Sequence, residues 1–288
     1  MMPAISSMLR DDTPVLTDAV FRSLRDRIRE RSGIFFPDKK KYLLEGRVAR
    51  RIRALHLESC EAYAAYLYDP AGSSEWPELC DAVTINETFF FRNQPQFDAF
   101  ESILLPAVLE KRGNANQRIR IWSAASSTGE EAYSLAMIWH SRLQHRYPGL
   151  RLEIIGTDIN RTVLESARSG VYSTYAVRNT PAEYLDRYFT VSGDRYILSE
   201  EIRSLVRFER LNLIDRTAMR SMRNFDFVFC CNVLIYFDTA GKTQVVSDLY
   251  NSLTPGGHLL IGYSELLHGI STAFRLITVP KSVAYRKE

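Results

Sequence analysis

No apolar run in this 288-residue chain approaches the ~20 residues needed to cross a bilayer. The N-terminus lacks the charged and apolar regions of a secretory leader, so a cytoplasmic protein is expected. Cysteine is scarce. Cys60, Cys80, Cys230 and Cys231 show no CxxC spacing and the adjacent pair falls in an apolar stretch, which argues against a zinc site or a disulfide framework and predicts reduced, structural thiols. Glycine is missing where a nucleotide fold usually concentrates it. The stretch 118-RIRIWSAASSTGEEAYSLAMIWH-140 reads as strand, loop and helix, yet Gly129 stands alone in the loop and no GxGxxG is present. A dinucleotide pyrophosphate would have no backbone cradle there.

What the loop does carry is acid. Glu130 and Glu131 open the helix, where the helix dipole favours a carboxylate but where a phosphate would meet like charge. A cofactor bearing an ammonium or sulfonium fits that position better. The next β-prone run, 152-LEIIGTDIN-160, ends at Asp158, and an acid at the end of the second strand is placed to bind the two ribose hydroxyls of an adenosine-containing cofactor. Dinucleotide enzymes use the same acid, so Asp158 alone does not choose between them. No metal ligand set is expected.

The composition, 45% hydrophobic and 25% charged, is that of a globular protein with room for one large core and a smaller second domain. Net charge is only +3, but between Arg22 and Arg53 twelve Lys and Arg face four Asp and Glu, which leaves the remainder of the chain acidic. Residues 1 to about 14 read as a disordered tail. Thr17 to Gly33 has helical spacing of Val20, Phe21, Leu24 and Ile28, with Thr17 as cap and Gly33 as stop. A second helix after Pro37 aligns Leu44, Val48, Ile52 and Leu55, while Arg47, Arg50, Arg51 and Arg53 line its other faces. These arginines form either a solvated face or a docking surface for an acidic partner. Two further helices, 59–69 and about 74–84, complete a helical N-terminal region.

Beyond it, 84-TINETFFFRNQPQF-97 sets Phe89, Phe90, Phe91 and Arg92 beside Asn86 and Thr88. The aromatic row reads either as core packing or as a dry wall. A helix from Phe97 to Lys111 leads into the central stretch. After a helix over 162–169, residues 170 to about 204 look like an insertion with a short helix (181–189) and a hairpin around Ser192-Gly193-Asp194. Strands are predicted over 205-LVRFERLNL-213 and 225-FDFVFCCNVLIYF-237. A helix from Thr239 to Leu253 stops at Pro255-Gly256-Gly257, which opens a strand over 258–264, and a closing hairpin suggests an antiparallel edge on a parallel sheet.

TINETFFFR, IWSAASSTGEEAYSLAM, TDIN, LNL and FDFVFCCNVLIYF, in this order and spacing, resemble the chemotaxis receptor methyltransferase family, CheR, over nearly the whole chain. The resemblance implies an α/β, class I (Rossmann-like) methyltransferase fold with a small all-helical N-terminal domain and a small inserted β-subdomain. It divides the chain into a receptor-docking domain (1–85), a linker (86–96) and an S-adenosylmethionine-dependent methyltransferase domain (97–288), whose insertion spans about 170–204. The implied activity is methyl transfer from S-adenosylmethionine to glutamates on the cytoplasmic helices of chemoreceptors, with S-adenosylhomocysteine as product.

Residue by residue, the resemblance implies that Asn86, Thr88 and Arg92 close over the cofactor. Glu131 or Glu130 would face the methionine amino group and Asp158 the ribose. Asn212 and Leu213 would flank the adenine, Asn232 would border the methionine portion, and Tyr236 would stand near the transferred methyl. Arg92 and Tyr236 are the implied catalytic residues, and Arg47, Arg50, Arg51 and Arg53 the docking set. The chain departs from the family at Cys231-Asn232, where Arg-Asn is usual, so contact by residue 231 is limited to its backbone or lost. The loop around Ser192 to Arg195 is shorter than in members that hold a receptor's C-terminal pentapeptide, and pentapeptide-independent docking is expected. Other readings of the same residues are a non-catalytic S-adenosylmethionine sensor, a methyltransferase for another acidic partner, and a nucleic-acid methyltransferase. The last of these should interleave aromatics with its arginines, and the helix Lys41 to Leu55 does not.

Overall fold

The structure, a computed structural model, describes residues 15–113 and 118–288; the expected tail, residues 1 to about 14, lies outside them. It divides into two compact units, one of residues up to Arg31 with Phe35–Thr84, the other of Ser32–Ile34 with Ile85–Glu288.

The first unit is helical: Asp18–Ser32, Lys41–Ala54, Cys60–Tyr68 and Glu75–Val83. Its helix starts are written in the sequence. The Thr17 hydroxyl accepts the Val20 N–H at 3.4 Å and Ser59 accepts that of Ala62 at 3.0 Å. Leu24, Ile28, Leu44, Val48 and Ile52, chosen by helical spacing, are buried with Tyr63, Leu67 and Leu79. Burying such side chains contributes about 1.5 to 3 kcal/mol each before entropy is subtracted.

The second unit is built on a seven-stranded sheet. Its strands are β1 (Arg118–Ala124), β2 (Arg151–Asp158), β6 (Val206–Arg210), β7 (Phe225–Cys230), β8 (Leu253–Ile261), β9 (Phe274–Val279) and β10 (Ser282–Lys287). The order is β6-β2-β1-β7-β8-β10-β9. The first five positions run parallel, and β10 pairs antiparallel with both β8 and β9. The closing hairpin therefore sits at the sheet edge, as its sequence suggested. β3 (Val171–Ser173), β4 (Phe189–Ser192) and β5 (Arg195–Leu198) form a separate antiparallel sheet, and the β4–β5 hairpin turns at Gly193-Asp194. This is the insertion.

Three elements differ from their sequence patterns. The run expected as one strand over 225–237 ends at Cys230, because Asn232 takes a left-handed φ of 61° and the chain turns into a 3-10 segment, Leu234–Tyr236. β6 stops at Arg210, so Asn212 and Leu213 lie in a loop. β8 starts at Leu253 and takes in the Pro255-Gly256-Gly257 turn, with a register irregularity opposite Phe225 to Phe227.

The strand order reverses between β1 and β7, so the crevice at their carboxyl ends is where a ligand is expected in an open α/β sheet. That end carries the motifs singled out above.

Candidate active site

The loop after β1 is the floor of the site. The Ser126 N–H reaches the Thr157 carbonyl at 2.8 Å, and the Ser127 N–H reaches Asp158 Oδ2 at 2.9 Å, so the end of β2 holds the loop from behind. Gly129 closes it at φ 93°, and a Cβ there would sit 2.9 Å from the Phe208 ring. Glycine is required at this position by both conformation and space.

Glu130 and Glu131 are separated by their surroundings. The Glu130 carboxylate is 2% exposed and accepts the Thr128 hydroxyl at 2.7 and 2.9 Å. Burial pushes its pKa up to about 7, opposed by the Thr128 bond. Glu131 keeps part of its side chain open and accepts the Ser123 hydroxyl at 2.7 Å. Its pKa is raised by burial, while Ser123, Cys231 and the charge of Arg92 act in the opposite direction.

Asp158 is 5% exposed. One oxygen accepts the Ser127 N–H and the other the Asn160 N–H, each at 2.9 Å.

The linker crosses this floor. The Asn86 carbonyl accepts the Ser127 hydroxyl at 3.1 Å, and Thr88 is half-buried beyond it. The aromatic row divides. Phe90 packs edge-on to Tyr172 and Phe189, and Phe91 stacks on Tyr184 while its N–H meets the Ser134 hydroxyl. Both are buried core, so the dry wall expected of all three phenylalanines is left to Phe89. Arg178 lies 3.5 Å from the centre of the Phe89 ring and Arg92 5.7 Å. Arg92 also donates to the Glu87 carbonyl at 2.7 Å.

Asn212 and Leu213 follow β6. Asn212 Oδ1 accepts the Ile214 N–H at 3.3 Å, and the Leu213 side chain is 6% exposed, joined to the core beneath β7. After β7, the Cys231 thiol donates to Gln96 Oε1 at 3.4 Å, and burial together with Glu131 keeps it neutral by raising its pKa well above the usual thiol range. Cys231 thus stands beside Glu131 as an uncharged side chain. Tyr236 is half-buried at the end of the 3-10 segment.

Two groups escaped sequence reasoning. Glu265 is 5% exposed and accepts the N–H groups of Asn232 and Gly262 at 2.7 Å and of Ile235 at 3.2 Å. Gln96 is buried and donates to the Ile261 carbonyl at 2.5 Å. The only sequence signal for Glu265 was an acid just beyond an apolar strand.

Left-handed non-glycine residues gather here: Phe91, Ala125, Ser127 and Asn232 have φ between 51° and 61°. Each costs on the order of 1 kcal/mol or more and persists only where neighbours hold it. Asn232 Oδ1 and Ser126 Oγ are buried with no partner. Orphan polar atoms, a partly exposed carboxylate at a helix start and an acid after β2 suit an adenosyl cofactor with a cationic end, and the single glycine does not suit a dinucleotide.

In the helical unit the four docking arginines part company. Arg51 grips Glu75 through two 2.7 Å bonds, and the Tyr63 hydroxyl shares that carboxylate at 2.8 Å. Arg47 donates to the Val83 carbonyl and lies over Phe36. The surface expected of all four therefore narrows, because two guanidinium groups are engaged within the unit; Arg50 and Arg53 are exposed.

Comparison with known proteins places the chain in a family. The CheR methyltransferase SAM-binding domain matches residues 86–283, and the CheR methyltransferase all-alpha domain matches 19–84. Chemotaxis protein methyltransferase 2 of Vibrio cholerae is 35% identical over 277 residues, 95% of this chain and 94% of its own. Chemotaxis protein methyltransferase of Borreliella burgdorferi is 34% identical over 82% of this chain and 84% of its own. A third such protein, from Vibrio parahaemolyticus, is 35% identical over 94% and 98%. The fold is that of a class I methyltransferase, the cofactor is S-adenosylmethionine, and the chain belongs to the CheR methyltransferase family.

Proposed function

We propose that this methyltransferase esterifies glutamate side chains on the cytoplasmic helices of chemoreceptors. The observation that carries the reading is the pairing of a partly exposed Glu131, held by Ser123, with the cationic Arg92 nearby. Glu131 faces the methionine ammonium, and Glu130, enclosed by Thr128, shapes the helix start instead. Asp158, the acid at the end of β2, binds the ribose hydroxyls. Asn212 and Leu213 flank the adenine, Asn86 and Thr88 cover it, and Asn232 presents its unpartnered carbonyl oxygen to the amino-acid end.

S-adenosylmethionine supplies an electrophilic methyl on a sulfonium. The protein's task is alignment and exclusion of water. A glutamate has a reference pKa of ~4.3, so the nucleophile is already an anion at neutral pH and no general base is needed. Arg92, anchored on the Glu87 carbonyl and over Phe89, orients the incoming carboxylate by a charge-assisted hydrogen bond. Tyr236, half-buried at the end of the 3-10 segment, restricts the approach to one direction. Charge is neutralised as the ester forms, so a poorly solvating cleft favours the transition state over the separated ions.

Arg50 and Arg53 give the helical unit an exposed basic edge for an acidic receptor helix. The β4–β5 hairpin turns through only Gly193-Asp194, which supports docking without a receptor pentapeptide. The reaction belongs in the cytoplasm, where those receptor helices lie; among the described residues no helix is long and apolar enough to cross a membrane.

Incubation with methyl-labelled cofactor and receptor cytoplasmic fragments tests the reading. Label on the receptor that mild base releases supports it, whereas base-stable label or none would overturn it.

A further inference from the structure

Glu265 is a buried carboxylate of the crevice region that this mechanism does not use. It follows β8 by four residues, in the turn Gly262-Tyr263-Ser264-Glu265, which is closed by the Glu265 N–H on the Gly262 carbonyl at 2.9 Å. Its oxygens reach across to the loop after β7. Oε2 accepts both Asn232 N–H and Gly262 N–H at 2.7 Å, and Oε1 accepts Ile235 N–H at 3.2 Å. One carboxylate thus ties together the turns that leave two adjacent parallel strands.

Asn232 needs such a tie. Its φ of 61° is disfavoured for a residue with a Cβ, and its Oδ1 is buried without a partner. The approach is close. A Cβ on Gly262 would lie 2.8 Å from Asn232 N, Asn232 Nδ2 and Glu265 Oε2, so glycine at 262 is what lets the two turns meet. The Ile235 bond fixes the residue before Tyr236. Glu265 holds the N–H of Asn232, the residue after Cys231, and the Cys231 thiol meets the Glu131 carboxylate, so the two acids lie at the same end of the cleft.

We propose that Glu265 is a positioning residue for methyl transfer: it holds Asn232 and the turn to Tyr236 in place, and its charge favours the sulfonium cofactor over the uncharged thioether product. The proposal rests on the cofactor assignment and not on the identity of the methyl acceptor. Calorimetry on the full chain, which requires no acceptor, therefore separates its failure from failure of the glutamate reading.

For Glu265→Gln the structure predicts binding of S-adenosylmethionine weakened by about tenfold or more, the worth of charged hydrogen bonds. S-adenosylhomocysteine should lose distinctly less, a difference that a merely structural role would not produce. Unchanged affinity for both ligands, or equal loss of both, in a protein with native circular dichroism would overturn the proposal. Should Glu265→Gln fail to fold, amide hydrogen exchange in the native chain decides. Slow exchange at Asn232, Ile235 and Gly262 is expected, and exchange at the rate of an open loop would overturn it.

Discussion

Asp158 and Ser127, 31 residues apart in sequence, are joined by a 2.9 Å bond from the Ser127 N–H to Asp158 Oδ2. The acid assigned to the ribose is therefore also the pin that shapes the loop after β1. Its second oxygen does the same for the turn at Asn160. A single side chain thus builds the floor and serves the ligand.

Asp158→Ala should weaken cofactor binding by about 1.5 to 3 kcal/mol and, by orphaning two buried N–H groups, lower stability by a similar amount. Calorimetry and thermal melting measure the two effects. Native affinity in the variant would remove Asp158 from the site.

Arg51 and the pair Arg50 and Arg53 should behave in opposite ways. Arg51→Ala strands Glu75, which is 3% exposed, and loss of one partner of a buried pair costs about 3 to 5 kcal/mol; since Arg51 is itself partly open, the lower end is expected. Replacing Arg50 and Arg53 together with Ala should leave the melting curve unchanged while slowing receptor methylation, most clearly at low salt. Unaltered methylation at low salt would return these two to an ordinary solvated face.

Arg92→Ala should lower single-turnover methyl transfer more than cofactor affinity, because its assigned partner is the incoming carboxylate. A larger loss in cofactor affinity than in turnover would contradict that role.

Two buried groups give the fold an opposed response to pH. The Glu130 pKa is raised to about 7, so its native state holds a proton that the unfolded chain releases near 4.5, and its contribution is present below pH 4.5 and lost as pH rises through 7. His258, stacked on Phe227 and pushed down by burial to about 4, contributes above pH 6.5 and loses that contribution as pH falls through 4. Each spans roughly 3 kcal/mol at 1.36 kcal/mol per pH unit. They offset one another between about pH 4.5 and 6.5. Denaturant titrations should therefore show a steeper acid decline in Glu130→Gln than in the native chain; identical profiles would place the titration elsewhere.

How much of this was legible beforehand differs by residue. The stripe Leu44, Val48, Ile52 and the alternation around β1 are periodic, so burial followed from spacing. The loop acids were visible by type, but their division into an enclosed Glu130 and an open Glu131 depends on which hydroxyl, Thr128 or Ser123, stands over each. The apolar pattern after Phe225 continues to Phe237 while a left-handed Asn232 ends the ladder, and nothing in the pattern marks that φ. Glu265 and Gln96 act through contacts with residues 30 or more positions away, which spacing does not reveal. Charge counting treated Arg47 and Arg51 like Arg50 and Arg53, since their partners arrive from other helices.

Peptide mapping of receptor fragments after a single turnover tests the central claim most directly, with Glu131→Gln run in parallel. Methyl esters are expected on glutamates with the native chain, and a marked loss of them with the variant at subsaturating cofactor. Methyl groups on other side chains, or glutamate methylation indifferent to Glu131, would contradict it.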